Sequence, residues 1–237
     1  FIVTRFADLG FLIGILVLSY ASGTLDFNKM IATLTSPESS EMKSAVSSSF
    51  LGLSVITWGG LLVFMGGAGK SAIFPLHIWL PEAHPAAPSH VSALMSGVMI
   101  KTGIYGLLRA LLLLGQPSAW MGWVLVIVGI VSGVGGVLFA LAQHDLKRLL
   151  AYHSVENIGI IALGLGTGVL GLAWQIPALA ILGFGGGLLH VLTHAIFKSL
   201  LFLGACSLIH SCGTRNLDIT GGLLTPSRTP GTPFPPR

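Results

Sequence analysis

Six long apolar segments dominate this sequence. They lie at about residues 6–23, 50–73, 89–114, 119–141, 150–171 and 176–210. Each is close to or above the length of roughly 20 residues that a helix needs to cross a bilayer. Only 8% of the residues are charged, whereas soluble domains contain about 25%. We therefore predict an all-α, polytopic transmembrane helix bundle with about six spans.

The segment between the second and third spans is unusual. It reads PLHIWLPEAHPAAP (75–88) and contains four prolines. Proline removes a backbone donor and stops helices, and non-helical backbone at membrane depth survives only against protein or water. We expect this segment to lie at an interface or to line a cavity. The glycines that precede it, Gly66, Gly67 and Gly69, predict a broken helix near Lys70.

The basic residues of the connections predict an orientation. With six spans, one side carries Arg5, Lys147, Arg148, Arg215 and Arg228, and the other carries Lys29, Lys43 and Arg109. Because cytoplasmic loops are enriched in Lys and Arg, we predict that the first side is cytoplasmic.

The two ends of the sequence differ from its middle. It begins with Phe1 and not with Met, and we expect it to be a piece of a longer protein. After Gly222 the composition changes abruptly to Pro, Thr and Arg. We interpret residues 1–222 as a fragment of a membrane domain and residues 223–237 as a disordered or non-native tail.

Three lysines lie inside the apolar segments: Lys70, Lys101 and Lys198. A charged side chain in hydrocarbon is costly, by about 3 kcal/mol on insertion scales. Proton handling is the use that fits best, because desolvation favours the neutral amine and so allows exchange. The alternatives are a snorkelling Lys70 near a helix end and a Lys101 neutralised by a buried carbonyl or carboxylate.

The sixth apolar segment carries His190, His194 and Lys198, spaced at i, i+4 and i+8. On an α-helix these residues lie on one face, in single file over about 12 Å. The pattern favours a proton relay, since each group can take up and release a proton. It does not favour a metal site, because no acidic residue or Cys supplies a third ligand nearby and Lys198 would repel a cation.

A second polar group occurs at the start of the fifth span. His153, Glu156 and Asn157 lie one turn apart on the same helix face. Apart from Asp8 near the start of the first segment, Glu156 is the one acid within an apolar segment, and it is therefore the internal candidate to pair with a buried lysine. The alternative is a glutamate at headgroup depth that makes ordinary surface contacts.

Several functions are excluded by what the motifs lack. GGAGKS (66–71) has Phe64 where a P-loop needs glycine. The two cysteines, Cys206 and Cys212, cannot hold an iron–sulfur cluster, and there is no dinucleotide fingerprint. The basic residues are scattered singly, unlike those of a nucleic-acid-binding surface. We expect no cofactor, no metal and no nucleic-acid partner.

Three runs of the sequence resemble a known family: 66–109, 144–160 and 188–210. They are similar to the antiporter-like, proton-translocating subunits of respiratory complex I, membrane-bound hydrogenases and Mrp antiporters. PEAHPAAPS and AYHSVENIG look most like the hydrogenase-4 and formate hydrogenlyase branch. The resemblance implies that Lys70 is the channel lysine at a broken helix and that Lys101 is a neighbouring midplane lysine. It also implies that the histidine–lysine row passes protons onward.

The resemblance also implies what surrounds this chain. The glutamate partner of the channel lysine is expected upstream of Phe1, and further helices after Gly222, so that the chain is part of an inverted-repeat domain. The implied function is proton translocation in the inner (plasma) membrane, as a multi-pass subunit of a hydrogenase or complex I-like assembly whose redox chemistry lies in other subunits. An Mrp-type sodium/proton antiporter subunit and a purely structural membrane subunit remain alternatives.

Overall fold

Helices make up nearly all of the computed structural model, which describes residues 2–35, 49–50, 53–113 and 118–220. They are α1 (Ile2–Ser22), α2 (Phe27–Thr35), α3 (Val55–Ser71), α4 (Trp79–Ala86), α5 (Ser89–Leu94), α6 (Ile100–Leu113), α7 (Ala119–Leu141), α8 (Leu146–Ala173) and α9 (Pro177–Cys212). A π-helical turn, Met95–Met99, joins α5 to α6, and a 3-10 turn, Leu217–Ile219, follows α9. Within these ranges, extended backbone forms one antiparallel hairpin of β1 (Ser49–Phe50) and β2 (Leu53–Ser54).

Five helical stretches of the described chain are long and apolar enough to cross a membrane. They are Ile2–Ser22, Ser89–Leu113, Ala119–Leu141, Leu146–Ala173 and Pro177–Cys212. The remaining predicted span is represented by α3, which has 17 residues. It packs closely along α1, since a Cβ atom added to Gly14 would lie 2.7 Å from the Gly59 carbonyl oxygen. The all-α transmembrane architecture is thus confirmed, and the tail at 223–237 lies outside the described residues.

The expected helix break near Lys70 is present. Helix α3 ends at Ser71, and Ala72 adopts the left-handed conformation with a φ of 58°. The Ser71 hydroxyl donates to the Gly67 carbonyl at 2.6 Å, and Trp79 Nε1 donates to the Gly69 carbonyl at 2.9 Å. The Gly69 carbonyl also accepts from the Ala72 N–H at 3.3 Å, so the Trp79 bond reinforces the last turn of the helix.

The proline-rich segment is more regular than its composition predicts, because residues 79–86 form the short helix α4. Pro81 lies in its first turn, where backbone N–H groups have no helical partner, so the missing donor is tolerated. Pro85 lies one residue before the end of the helix. The expectation that prolines would prevent a helix here is therefore wrong for Trp79–Ala86.

Helix α9 is a single element of 36 residues, and Gly185, Gly186 and Gly187 are all helical. Its length of about 54 Å exceeds the hydrocarbon thickness of about 30 Å. Such a helix must tilt in the bilayer or project beyond it. Its neighbour α8 packs against it closely, since a Cβ atom on Gly164 would lie 2.7 Å from the Gly187 Cα atom.

Polar contacts tie α4 to the start of α8 at one end of the bundle. The Arg148 guanidinium binds both Glu82 carboxylate oxygens, at 2.8 and 2.9 Å, and Lys147 Nζ donates to the Ala87 carbonyl at 2.7 Å. Arg215 donates to the Pro85 carbonyl at 2.7 Å. The structure thus brings together Lys147, Arg148 and Arg215, which the sequence assigns to one side of the membrane.

Arg109, which the sequence assigns to the opposite side, lies elsewhere. Its guanidinium stacks over the Phe27 ring of α2 at 3.8 Å. Lys43 and Arg228 lie outside the described residues. Which end faces the cytoplasm stays a prediction.

Labelling of introduced cysteines tests this orientation. We expect His144→Cys to react with a membrane-impermeant maleimide only from the cytoplasmic side, and Lys29→Cys only from the opposite side. Both positions are exposed, unlike the buried Lys147. The free thiols of Cys206 and Cys212 are first replaced by serine. Labelling of both introduced cysteines from the same side would show that the predicted topology is wrong.

Candidate functional site

The predicted row on α9 lies mostly inside the bundle. The His194 and Lys198 side chains are 0% and 1% exposed, and His190 is half-buried. The His190 and His194 rings are nearly parallel, with centroids 6.2 Å apart and an interplanar angle of 8°. The spacing in the sequence therefore does produce a single file of titratable groups, which we call the α9 row (His190, His194 and Lys198).

Lys198 is the most unusual member of the row. It is among the largest side chains of the described residues that are less than 2% exposed. Among the residues that the structure describes, its ammonium group has no hydrogen-bond or ion-pair partner. The two ring nitrogens of His194 likewise have no partner in the described chain. Buried polar groups are normally satisfied, so this part of the row is a candidate functional site.

The other end of the row is connected to α8 through Asn157. His190 Nε2 and Asn157 Oδ1 are 2.9 Å apart, and the Asn157 amide donates to the His153 carbonyl at 2.6 Å. Because the amide oxygen can only accept, His190 carries its proton on Nε2, and Nδ1 is left as an acceptor. The sequence places Asn157 on the right face but gives no sign of this role.

His153 and Glu156 form a pair of their own. His153 Nδ1 lies 2.5 Å from Glu156 Oε2, and the two side chains are 36% and 22% exposed. The Glu156 carboxylate is thus engaged by His153, while its negative charge also acts on Lys198, so its pairing with a buried lysine stays a prediction. A histidine one turn earlier on the same helix reaches the carboxylate first, because residues at i and i+3 are neighbours on a helix.

Lys101 has a partner that the sequence does not reveal. Its Nζ donates to the Ser96 carbonyl, which lies in the π-helical turn Met95–Met99. A π turn bonds i to i+5 and so alters which carbonyls remain available to side chains. The Ser96 hydroxyl in turn contacts the Ser154 hydroxyl on α8 at 2.7 Å. The contact is of the kind expected under the alternative in which a buried carbonyl holds Lys101, and the proton-handling role of Lys101 stays a prediction.

Lys101 also belongs electrostatically to the α9 row. The charges of Lys101 and Lys198 act on each other and both act on His194. Three cationic or potentially cationic groups thus meet in a low-dielectric interior, where like charges repel strongly. The three groups cannot all be protonated at the same time without a large cost in electrostatic free energy.

Lys70 lies apart from the row. Its side chain is exposed among the described helices, and its role as a channel lysine stays a prediction. It lines a cavity of about 540 Å³, together with Asp8, Thr102 and Arg109. Lys70 occupies the last turn of α3, and it is exposed because the other described helices leave this side of α3 uncovered.

The structure also contains a buried histidine that motif analysis overlooks. His84 of α4 is 0% exposed and stacks on Phe202 of α9, with ring centroids 4.6 Å apart. Both of its ring nitrogens lack a partner among the described residues. Burial, reinforced by the positive charges of Lys198 and Lys147, lowers the pKa of His84 to about 4. Its burial depends on how α4 docks, which no local signal predicts.

Comparison with known proteins gives one family match and several relatives. The family model described as NADH:quinone oxidoreductase/Mrp antiporter, TM, matches residues 1–230. Hydrogenase-4 component B of Escherichia coli (strain K12) is 42% identical over 226 residues, which are 94% of this chain and 31% of that protein. The chain therefore spans about a third of the length of this curated relative.

Two solved structures share the fold. A chain of the membrane-bound sulfane sulfur reductase, an archaeal respiratory membrane complex, aligns with a TM-score of 0.75 at 26% identity. The alignment covers 92% of this chain and 40% of the reductase chain. The Mrp complex from Dietzia sp. DQ12-45-1b matches 88% of this chain and 34% of its own, with a TM-score of 0.68 at 28% identity. Both proteins are complexes, and the expected family resemblance is confirmed.

Proposed function

We propose, from the premise that this chain belongs to the NADH:quinone oxidoreductase/Mrp antiporter transmembrane family, that it conducts protons across a membrane. The complete protein would act as a subunit of a respiratory-type redox complex, of the hydrogenase or NADH:quinone oxidoreductase kind, in the inner (plasma) membrane. Redox chemistry would take place in other subunits. The observation that carries the proposal is the buried α9 row, whose Lys198 has no hydrogen-bond or ion-pair partner among the described residues and feels the charge of Glu156.

The geometry supports transfer by short steps. A neutral imidazole accepts a proton on one ring nitrogen and releases one from the other. Asn157 holds the Nε2 proton of His190, so the free Nδ1 is the position that accepts. His194, stacked on His190, would continue the file toward Lys198. Repulsion between Lys101 and Lys198 would keep both lysines from being charged at once, so that charging one favours proton release from the other.

A second candidate is a sodium/proton antiporter subunit, which the fold similarity to the Mrp complex favours. Sodium ions, like other hard cations, are bound by oxygen ligands. The α9 row instead presents imidazole nitrogens and an ammonium group, which suit protons. Replacing sodium by potassium in a transport assay separates the two candidates, because proton conduction by the row needs no sodium.

A third candidate is a structural role, in which the charges only join helices. The bond from Lys101 to the Ser96 carbonyl is a contact of this type. Variants that remove the charges while the complex still assembles distinguish this role from transport.

Substitution of two row-associated residues tests the proposal. In the complete complex reconstituted in liposomes, we expect Lys101→Ala and His194→Ala each to reduce proton transport by about a hundredfold, the lower end of the contribution of a positioned proton-transfer group. A pH-sensitive dye measures transport, and native gel electrophoresis measures assembly. His210→Ala, at an exposed position at the end of the same helix, is the control. Normal transport in both variants would overturn the proposal and favour the structural role.

A further inference from the structure

We infer that His84 carries protons between Lys198 and the aqueous end of the bundle at Lys147 and Arg148. The inference rests on the proposed function. It extends the file of titratable groups from α9 onto the short helix α4, which lies outside the candidate spans.

The position of His84 relative to the row is fixed by packing. Its ring stacks on Phe202, with centroids 4.6 Å apart, and Phe202 lies one helical turn beyond Lys198 on α9. The charge of Lys198 reaches His84 directly. His84 therefore lies where the row would continue if α9 carried another titratable side chain in its next turn.

The backbone around His84 is held from several sides. The Ser92 hydroxyl donates to the His84 carbonyl at 3.2 Å. Glu82 binds Arg148, and Lys147 donates to Ala87, at both ends of the same short helix. These contacts connect α4 to the polar end of α8, so His84 lies between that end and Lys198.

The chemistry of His84 suits a proton carrier better than a packing residue. A buried ring that served only for packing would be better replaced by an apolar one, since its unpartnered nitrogens are unfavourable in the interior. His84 has no hydrogen bond to either nitrogen from the described chain, so both remain available. Its lowered pKa keeps the ring neutral at neutral pH, ready to accept a proton on one side and release it on the other.

The surrounding charges give His84 a further property. Lys198 and Lys147 both act on it, and both disfavour its protonated form. A proton can therefore occupy His84 most easily while Lys198 is neutral. This arrangement lets a proton reach an empty Lys198 but opposes its passage when Lys198 is already charged.

The decisive variant is His84→Phe, which keeps an aromatic ring against Phe202 and removes proton transfer. In the complete complex in liposomes, we expect proton transport to fall at least tenfold while assembly is retained. His84→Ala should lose transport likewise and regain part of it when imidazole is added, which a packing role would not produce. His90→Phe, at an exposed position nearby, should transport normally.

The comparison with His194→Ala separates this inference from the proposed function. If His194→Ala abolishes transport but His84→Phe transports normally, the route through His84 is wrong and the α9 row stands. If His84→Phe, His194→Ala and Lys101→Ala all transport normally, the proposed function fails as well. If His84→Phe does not assemble, His84→Gln is measured instead, and failure of both variants to assemble assigns His84 a structural role and overturns the inference.

Discussion

Lys198→Met is expected to abolish proton transport and, at the same time, to make the protein more stable. Transport fails because Lys198 is the row member that holds a proton as a full charge in the interior. Stability rises because a buried ammonium without a described partner is replaced by an apolar side chain of similar length. Leaving a buried polar group unsatisfied costs about 1–3 kcal/mol, and we expect a gain of that order in the free energy of unfolding.

Both effects are measured on the complete complex, by dye-detected proton transport in liposomes and by thermal unfolding in detergent. Lys29→Met provides the matched control, because Lys29 is an exposed lysine on α2 and should affect neither quantity. A less stable Lys198→Met variant with normal transport would mean that Lys198 anchors helices and does not conduct.

Gly159→Ala adds a single methyl group and is nevertheless expected to destabilise the bundle strongly. Helices α7 and α8 cross so closely that a Cβ atom on Gly159 would lie 2.5 Å from the Gly133 nitrogen and 2.7 Å from the Gly129 carbonyl oxygen. Both neighbours are backbone atoms, so the helices themselves must separate. Overpacking of this kind costs about 1–3 kcal/mol, and separation would also move Glu156 and Asn157 on α8.

Gly133→Ala is the matched control for this crossing. A Cβ atom on Gly133 meets nothing within 4 Å, and alanine is favoured over glycine in a helix by about 1 kcal/mol. We therefore expect effects of opposite sign from the same substitution on two facing helices. The thermal midpoint and the yield of assembled complex measure the effect of each substitution. Equal tolerance of the two variants would show that α7 and α8 are farther apart than described.

The sequence predicts those parts of the fold that depend on local pattern. The length of the apolar segments predicts the spans, and the i, i+4, i+8 spacing predicts that His190, His194 and Lys198 share one face of α9. The glycines before Lys70 predict the end of α3. In each case neighbours along one helix determine the outcome, so tertiary contacts are not needed.

What the sequence does not predict depends on contacts between helices. The π turn at Met95–Met99 accompanies close packing, since a Cβ atom on Gly97 would clash with the Ser199 hydroxyl. The burial of His84 depends on the docking of α4 against Phe202. The exposure of Lys70 depends on which side of α3 the other described helices cover. None of these has a signature within its own segment.

Movement of a proton along α9 also has an electrical consequence. The distance from His190 to Lys198 is about 12 Å along the helix axis, which is about two fifths of a hydrocarbon layer about 30 Å thick. A full crossing at 100 mV changes the energy of one charge by about 2.3 kcal/mol. The energy of moving one proton from His190 to Lys198 would therefore change by about 0.9 kcal/mol. This energy equals that of a pH difference of about two thirds of a unit across the membrane. The transfer would therefore respond to membrane voltage as well as to the proton gradient.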